Sequence, residues 1–164
     1  MSEIRNESGS QDVPGGIREE TSNTPSENTL RSVCDAEVLK KLIDSEERSM
    51  SFYCELAKRC SGVTKRRILE IAGQEKGHMC RLQTELFLLT GHIHTPPDSC
   101  PLIDGIITAF GMAYRAERKA EATYIKEAGR SRRPELSELY QCIAAEECCH
   151  AEIIKGMVQS SMCM

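Results

Sequence analysis

The stretch AAEECCHAEII, residues 144–154, places a carboxylate and an imidazole three residues apart on what otherwise reads as the buried side of a helix. Glu147 and His150 fill the gap between Ile143 and Ile154, where the apolar repeat would place large aliphatic side chains. A Glu and a His at this spacing project from one face of a helix. Both side chains are therefore expected to point into the protein interior.

The same interruption occurs in an earlier helical pattern, where Glu75 and His78 fill the gap between Ile71 and Leu82. An isolated Glu-x-x-His is a weak signal, because most such pairs lie on ordinary helix surfaces. Two of them on apolar stripes form a stronger one. We expect two helices that each contribute a glutamate and a histidine to the interior.

Two further glutamates lie on inward stripes of the remaining helical segments, each followed seven residues later by a tyrosine. Glu46 precedes Tyr53, and Glu117 precedes Tyr124. These pairs are 71 residues apart and the two Glu-x-x-His pairs are 72 residues apart. The chain is therefore predicted to be an internal duplication, with two helix pairs related by a pseudo-twofold axis.

Four segments carry apolar residues at spacings of three and four, the period of an amphipathic helix. We predict helices over 35–60, 64–91, 104–129 and 133–158, separated by Gly, Ser and Pro. The proline-rich connection after residue 91 is long enough to cross a bundle. The predicted fold is an all-α four-helix bundle over residues 34–164, made of two duplicated antiparallel helix pairs, with a flexible polar tail over 1–33. The predicted inward stripes comprise Leu39, Leu42, Ile43, Met50, Tyr53, Ala57, Ile68, Ile71, Leu82, Leu86, Leu89, Ile107, Phe110, Ala113, Ala120, Tyr124, Leu136, Tyr140, Ile143, Ile154 and Met157.

Composition excludes several classes of function. The net charge of −4 is spread over interspersed acidic and basic residues, so we expect neither a nucleic-acid partner nor a membrane partner. No apolar run reaches the roughly 18 to 20 residues of a membrane span, and a cytoplasmic protein is expected.

The nine cysteines are predicted to be small core residues rather than disulfides. His92 and His94 are interpreted as polar loop residues.

Four buried carboxylates facing one another would be prohibitively costly unless they take up protons or bind cations. Carboxylate oxygens and neutral imidazole nitrogens suit iron or manganese. Two Glu-x-x-His pairs plus one glutamate from each other helix form the ligand list of a dinuclear centre in a bundle. Glu75 and Glu147 are predicted to bridge two metals, with terminal ligands Glu46, Glu117, His78 and His150.

At these residues the sequence resembles the ferritin-like superfamily of di-iron carboxylate proteins, and its duplicated halves look most like rubrerythrins. The stretches that carry the resemblance are EERSMSFYCELAKRC, EIAGQEKGH, AERKAEATYIKEAG and IAAEECCH, so it covers residues 38 to about 158. The resemblance implies two iron ions, with manganese as the alternative, that react with peroxide or dioxygen in a dimer or larger homo-oligomer. It implies the same six ligands.

The sequence departs from rubrerythrins in two respects. Rubrerythrins usually carry another glutamate three residues after the third-helix ligand, a position taken here by Ala120; Glu121 lies one step further round the helix. They also usually carry a four-cysteine rubredoxin domain, which residues 1–164 do not contain. We therefore expect the electrons to come from a separate donor.

Several interpretations stay open at this point. The function favoured is an oxidoreductase that reduces peroxide or dioxygen in oxidative-stress defence; the alternatives are a ferroxidase that handles iron, a hydroxylase, and a purely structural metal site. Tyr53 and Tyr124 are interpreted equally well as hydrogen-bond donors to ligating glutamates or as core aromatics. Cys149 is expected to face away from the metals, and Cys148 to be structural.

Overall fold

The computed structural model describes residues 27–162, and all regular structure within that range is helical. Helix α1 spans Glu27–Lys58, α2 Gly62–Thr90, α3 Ile106–Arg130 and α4 Pro134–Met162. The predicted all-α four-helix bundle is confirmed. A flexible polar tail was predicted for residues 1–33; residues 1–26 lie outside the described range, while residues 27–33 form the first turns of α1. Glu27 in the first turn favours an early start, because the helix N-terminus carries positive partial charge.

Two apolar clusters fill the ends of the bundle and fix the helix directions. Leu39, at the start of α1, lies in the first cluster, and Leu56, near its end, lies in the second. Helix α2 runs back from Ile68 in the second cluster to Leu86 in the first. Helices α1 and α2 are therefore antiparallel. The first cluster comprises Ala36, Leu39, Leu42, Ile43, Leu82, Leu86, Tyr124, Ala128, Leu136, Tyr140, Ile143 and Ala144. The second comprises Tyr53, Leu56, Ala57, Ile68, Ile71, Ala72, Ile103, Ala109, Phe110, Ala113, Ile154 and Met157.

Helices α3 and α4 repeat this arrangement. Ala109 places the start of α3 in the second cluster, and Ala128 places its end in the first. Helix α4 runs back from Leu136 to Met157, so this pair is also antiparallel. Helix α1 packs along α2 and α3 along α4, with a smaller contact between α2 and α4. The two halves are arranged as the duplication predicts.

The connection over residues 91–105 crosses the bundle from the first cluster to the second. Gly91 ends α2 in the left-handed region at φ 73°, and its N–H donates to the Phe87 carbonyl at 2.7 Å. His94 is held by the side chain of Gln83 through both backbone groups, and its Nε2 lies 2.7 Å from Asp44 Oδ1. His94 is thus pinned to α1 and α2, whereas His92 is exposed, as a loop residue should be.

Two predictions about the core are wrong. Ile107 is 62% exposed, because it lies in the first turn of α3 and the connection supplies Ile103 to fill that end of the core instead. None of the eight described cysteines is buried: six are exposed, Cys60 is half-buried against the second cluster, and Cys163 falls outside the described range. Cys149 faces away from the interior as expected, and Cys148 is half-buried. None of the described helices has an apolar stretch long enough to cross a membrane.

Candidate metal centre

Six charged or polar side chains lie in a layer between the two apolar clusters, and each is at most 3% exposed. They are the six residues predicted from the sequence. Two come from single positions on α1 and α3, and four come from Glu-x-x-His pairs on α2 and α4. The layer comprises Glu46, Glu75, His78, Glu117, Glu147 and His150.

The six side chains form two overlapping groups of four that can each hold a metal ion. In each group the candidate ligand atoms lie within 4.8 Å of one another. Glu75 and Glu147 belong to both groups, which is the position predicted for bridging ligands. The first group is Glu46, Glu75, His78 and Glu147; the second is Glu75, Glu117, Glu147 and His150.

Each histidine points its Nδ1 atom into this layer. His78 Nδ1 lies 2.9 Å from Glu147 Oε1, and His150 Nδ1 lies 3.0 Å from Glu75 Oε1. Each imidazole thus approaches the glutamate of the other half of the chain. The two rings stack with centroids 5.7 Å apart. Nδ1 is therefore the atom of each histidine that is available to a metal.

The outward Nε2 atoms are held by residues that our sequence analysis missed. His78 Nε2 lies 2.6 Å from Glu146 Oε2, and Arg81 Nη2 donates to the same oxygen at 2.6 Å. His150 Nε2 lies 2.8 Å from Gln74 Oε1. Glu146 and Gln74 each precede the glutamate of a Glu-x-x-His pair, and they are 72 residues apart. The duplication offset was the signal that could have identified them.

The two tyrosines hold the terminal glutamates across the bundle. The Tyr53 hydroxyl donates to Glu117 Oε1, and the Tyr124 hydroxyl donates to Glu46 Oε1. Burial, together with these carboxylates, raises the pKa of both phenols well above the usual range, so both remain protonated donors. Each tyrosine on one helix thereby orients the glutamate of the opposite helix. The interpretation as hydrogen-bond donors agrees with this geometry, and both rings also belong to the core.

The carboxylates differ in their protonation. Burial raises the pKa of Glu75 to about 9 and that of Glu117 to about 7, because a buried carboxylate is poorly solvated. Burial acts on Glu147 in the same direction, but the close approach of the His150 and His78 imidazoles outweighs it and holds the pKa of Glu147 below the usual range. Without a cation, the layer therefore keeps protons on some carboxylates at neutral pH.

The histidines are basic for a related reason. Burial disfavours the imidazolium, but hydrogen bonds to Glu147 and Glu46 raise the pKa of His78 to about 10. The carboxylates of Glu117 and Glu147, which approach His150 Nδ1 at 3.5 Å, contribute most to raising the pKa of His150 to about 12. A metal ion would displace these protons, because only the neutral imidazole binds metal.

Three buried atoms of the layer make no well-directed hydrogen bond to a described residue, although oppositely charged groups lie 2.9–3.0 Å away: Glu75 Oε1, Glu147 Oε1 and His150 Nδ1. All three belong to the groups that can hold a metal, and two belong to the shared glutamates. Orphaned buried atoms are costly, and a metal ion would satisfy all three. The donor set of carboxylate oxygen and imidazole nitrogen therefore fits a metal.

Glu121 lies outside the metal-binding layer, as the sequence indicated, whereas two positions predicted to face inward are only partly buried. Glu121 is 18% exposed in its side chain and pairs with Arg118 at 2.7 Å, and it does not belong to either metal-binding group. Ala120 is half-buried rather than fully inward, and so is Met50. Position 120 therefore supplies no carboxylate to the layer.

No protein-family model matches this chain, and neither does a curated protein. A solved structure described as Hypothetical Protein Pfu-1136390-001 from Pyrococcus furiosus aligns with it at a TM-score of 0.69 and 20% sequence identity. The alignment covers 80% of this chain and 92% of that chain. At this identity the likeness concerns the fold alone: both chains share the helical architecture described above.

Proposed function

We propose that this chain is a di-iron carboxylate protein, similar to rubrerythrins, that reduces hydrogen peroxide or dioxygen. The observation that carries the proposal is the pair of buried four-residue groups that share Glu75 and Glu147. Two cations bridged by two carboxylates would offset the four negative charges of the layer. Neither group contains a cysteine, which favours iron or manganese over softer metals. The resemblance to rubrerythrins favours iron over manganese.

In this proposal the protein holds, orients and shields the centre. Bound ferrous ions would supply the two electrons that cleave an oxygen–oxygen bond. Tyr53 and Tyr124 keep the terminal glutamates oriented, and Glu146 and Gln74 keep the imidazoles oriented through Nε2. The two apolar clusters keep bulk water away from the layer at both ends of the bundle. The donor that restores the ferrous state is a separate molecule, and a homodimer remains a prediction.

The test compares two oxidants on protein purified and loaded with Fe(II) without oxygen. Peroxide should oxidise the centre faster than air, without further uptake of iron. Faster oxidation by air that continues with added Fe(II) would instead identify a ferroxidase. The matched control is Glu138→Gln, an exposed position on α4, which should behave as the wild type. If neither oxidant changes the oxidation state of the bound metal, the metal site is structural.

A further inference from the structure

A cavity of about 340 Å³ opens between α1 and α3, beside the metal-binding layer. Glu46, Glu117, Tyr53 and Tyr124 form its inner wall, and it is open to solvent on its outer side. We call this the α1–α3 cavity. Its volume falls in the range of small-molecule sites, about 300–1,000 Å³. Hydrogen peroxide, which is only slightly larger than a water molecule of about 30 Å³, would fill only a small part of it.

The duplication builds this cavity from both halves of the chain. SEERS, residues 45–49, and AERKA, residues 116–120, each place a small residue before the terminal glutamate and another three positions after it. All four small residues line the α1–α3 cavity. Small side chains at these positions leave the space between the helices open. At position 120 the glutamate usual in rubrerythrins would fill part of it.

The rim of the cavity is cationic. Each of the two stretches places a basic residue two positions after its glutamate, Arg48 on α1 and Lys119 on α3. Both are exposed, and neither is in an ion pair with a described residue. Between rim and floor the walls are largely apolar, with Leu42, Phe52 and Ala113 among the lining residues. The cavity thus offers an apolar body and a positive mouth to a ligand.

A small anionic ligand suits this cavity better than a second copy of the chain. A twofold contact over the cavity would bring the same cations of two copies together, and charged residues are depleted at interface cores. An amphipathic anion, in contrast, would place its charge at Arg48 and Lys119 and its apolar body against the walls. Its far end would then lie beside Glu46 and Glu117.

We infer that the α1–α3 cavity binds small organic carboxylates, and that the peroxides reduced by the centre include organic hydroperoxides that carry such a carboxylate. The second part rests on the proposed function. The overall reaction would be ROOH + 2 H⁺ + 2 e⁻ → ROH + H₂O, in which the O–O bond breaks and bound Fe(II) would supply the two electrons. The carboxylate takes no part in the chemistry and serves as the handle for binding.

Calorimetric titration of the full-length protein with octanoate and with octylamine tests ligand binding to the α1–α3 cavity independently of catalytic turnover. Octanoate should bind, and octylamine should not. Ala120→Phe, which fills the cavity, should weaken octanoate binding at least tenfold, whereas Ala122→Phe, exposed on the same helix, should leave it unchanged. The double variant Arg48→Gln/Lys119→Gln should weaken it about tenfold, and Lys41→Gln, on the exposed side of α1, should not.

Equal binding of octylamine and octanoate, or unchanged binding in Ala120→Phe, would overturn the inference. So would self-association of the protein that is abolished by Ala120→Phe, since a second copy would then cover the cavity.

The failure of this inference is distinguishable from failure of the proposed function. If hydrogen peroxide oxidises the ferrous centre but octanoate does not bind, the proposed function is supported and the inferred binding site is contradicted. If octanoate binds but no peroxide oxidises the centre, the binding site is supported and the proposed function is contradicted. With both intact, the ratio of oxidation rates for a carboxylate-bearing hydroperoxide and hydrogen peroxide should fall in Ala120→Phe.

Discussion

At the scale of single residues, the positions that matter most are those that place a buried polar atom. The six layer residues could be predicted because charged groups on an apolar stripe are costly to bury unless they bind a cation or a proton. Gln74, Glu146 and Arg81 were missed because each occupies a helix flank where polar residues are ordinary. Sequence periodicity identifies the residues that face the interior, but it does not show which residue at the side of a helix contacts a histidine of a neighbouring helix.

The support of His78 by Glu146 predicts an effect on metal affinity. Glu146→Ala removes the partner of Nε2, so the imidazole loses its orientation and binds a metal less well. We expect a loss of about tenfold or more in affinity for one of two metal ions. Titration with Co(II), followed by absorbance, measures this. Glu138→Ala on the same helix is the control, and equal affinities in the two variants would contradict the assignment.

The tyrosine hydrogen bonds predict a loss of stability. Tyr53→Phe removes the donor to a buried oxygen of Glu117. Tyr124→Phe does the same for Glu46. Each should lower the free energy of unfolding of the metal-free protein by about 1–3 kcal/mol. Tyr140 is buried in the first cluster, but its hydroxyl has no hydrogen bond to a described residue, so Tyr140→Phe in urea denaturation is the matched control. Equal losses in all three variants would contradict the prediction.

At the scale of helices and connections, the sequence predicted the type and approximate range of each element but not all of its ends. Pro134 begins α4, as expected for a residue that lacks an N–H. The start of α1 was missed because residues 27–33 offer few apolar side chains, while an existing helix is extended at little cost. Ile107 was assigned to the core because periodicity alone does not reveal where the first turn of a helix meets its neighbours.

The end of α2 allows a test with opposite signs on one helix. Gly91 has φ 73°, where a side chain is strained, so Gly91→Ala should destabilise the protein by about 1 kcal/mol. Gly73 lies on the exposed face within the same helix with free space around it, so Gly73→Ala should stabilise by about 0.5–1 kcal/mol. Chemical denaturation measures both, and a change of the same sign in the two variants would contradict the assignment of the helix end.

At the scale of the whole molecule, the bundle consists of two apolar ends separated by a polar layer. The duplication predicted this arrangement, because equal offsets of the Glu, Tyr and His positions put both halves of the layer at the same height. The α1–α3 cavity could not be predicted, since the separation of two helices depends on how all four pack. The cysteines, interpreted as core residues, occupy exposed or half-buried positions, because their residue type does not decide which side of a helix is buried.

The protonated layer predicts how pH affects the metal-free protein. His78 has a folded-state pKa near 10, above the 6.5 of an ordinary histidine, so its stabilising contribution is complete below pH 6.5 and is lost as the pH rises to about 10. Glu75, raised from 4.5 to about 9, changes stability in the same direction over that window. The midpoint temperature of thermal unfolding should therefore decrease as the pH rises from 6.5 to 10. A midpoint that rises across this range would contradict the account.

The central claim is that Glu75 and Glu147 bridge two metal ions, and the metal content per chain tests it most directly. Mass spectrometry on protein loaded with Fe(II) without oxygen should give two irons per chain. Glu75→Ala and Glu147→Ala should each lower that content by about half or more, because each removes a ligand from both groups. Fewer than one metal per chain after loading, or two irons retained in both variants, would contradict the claim.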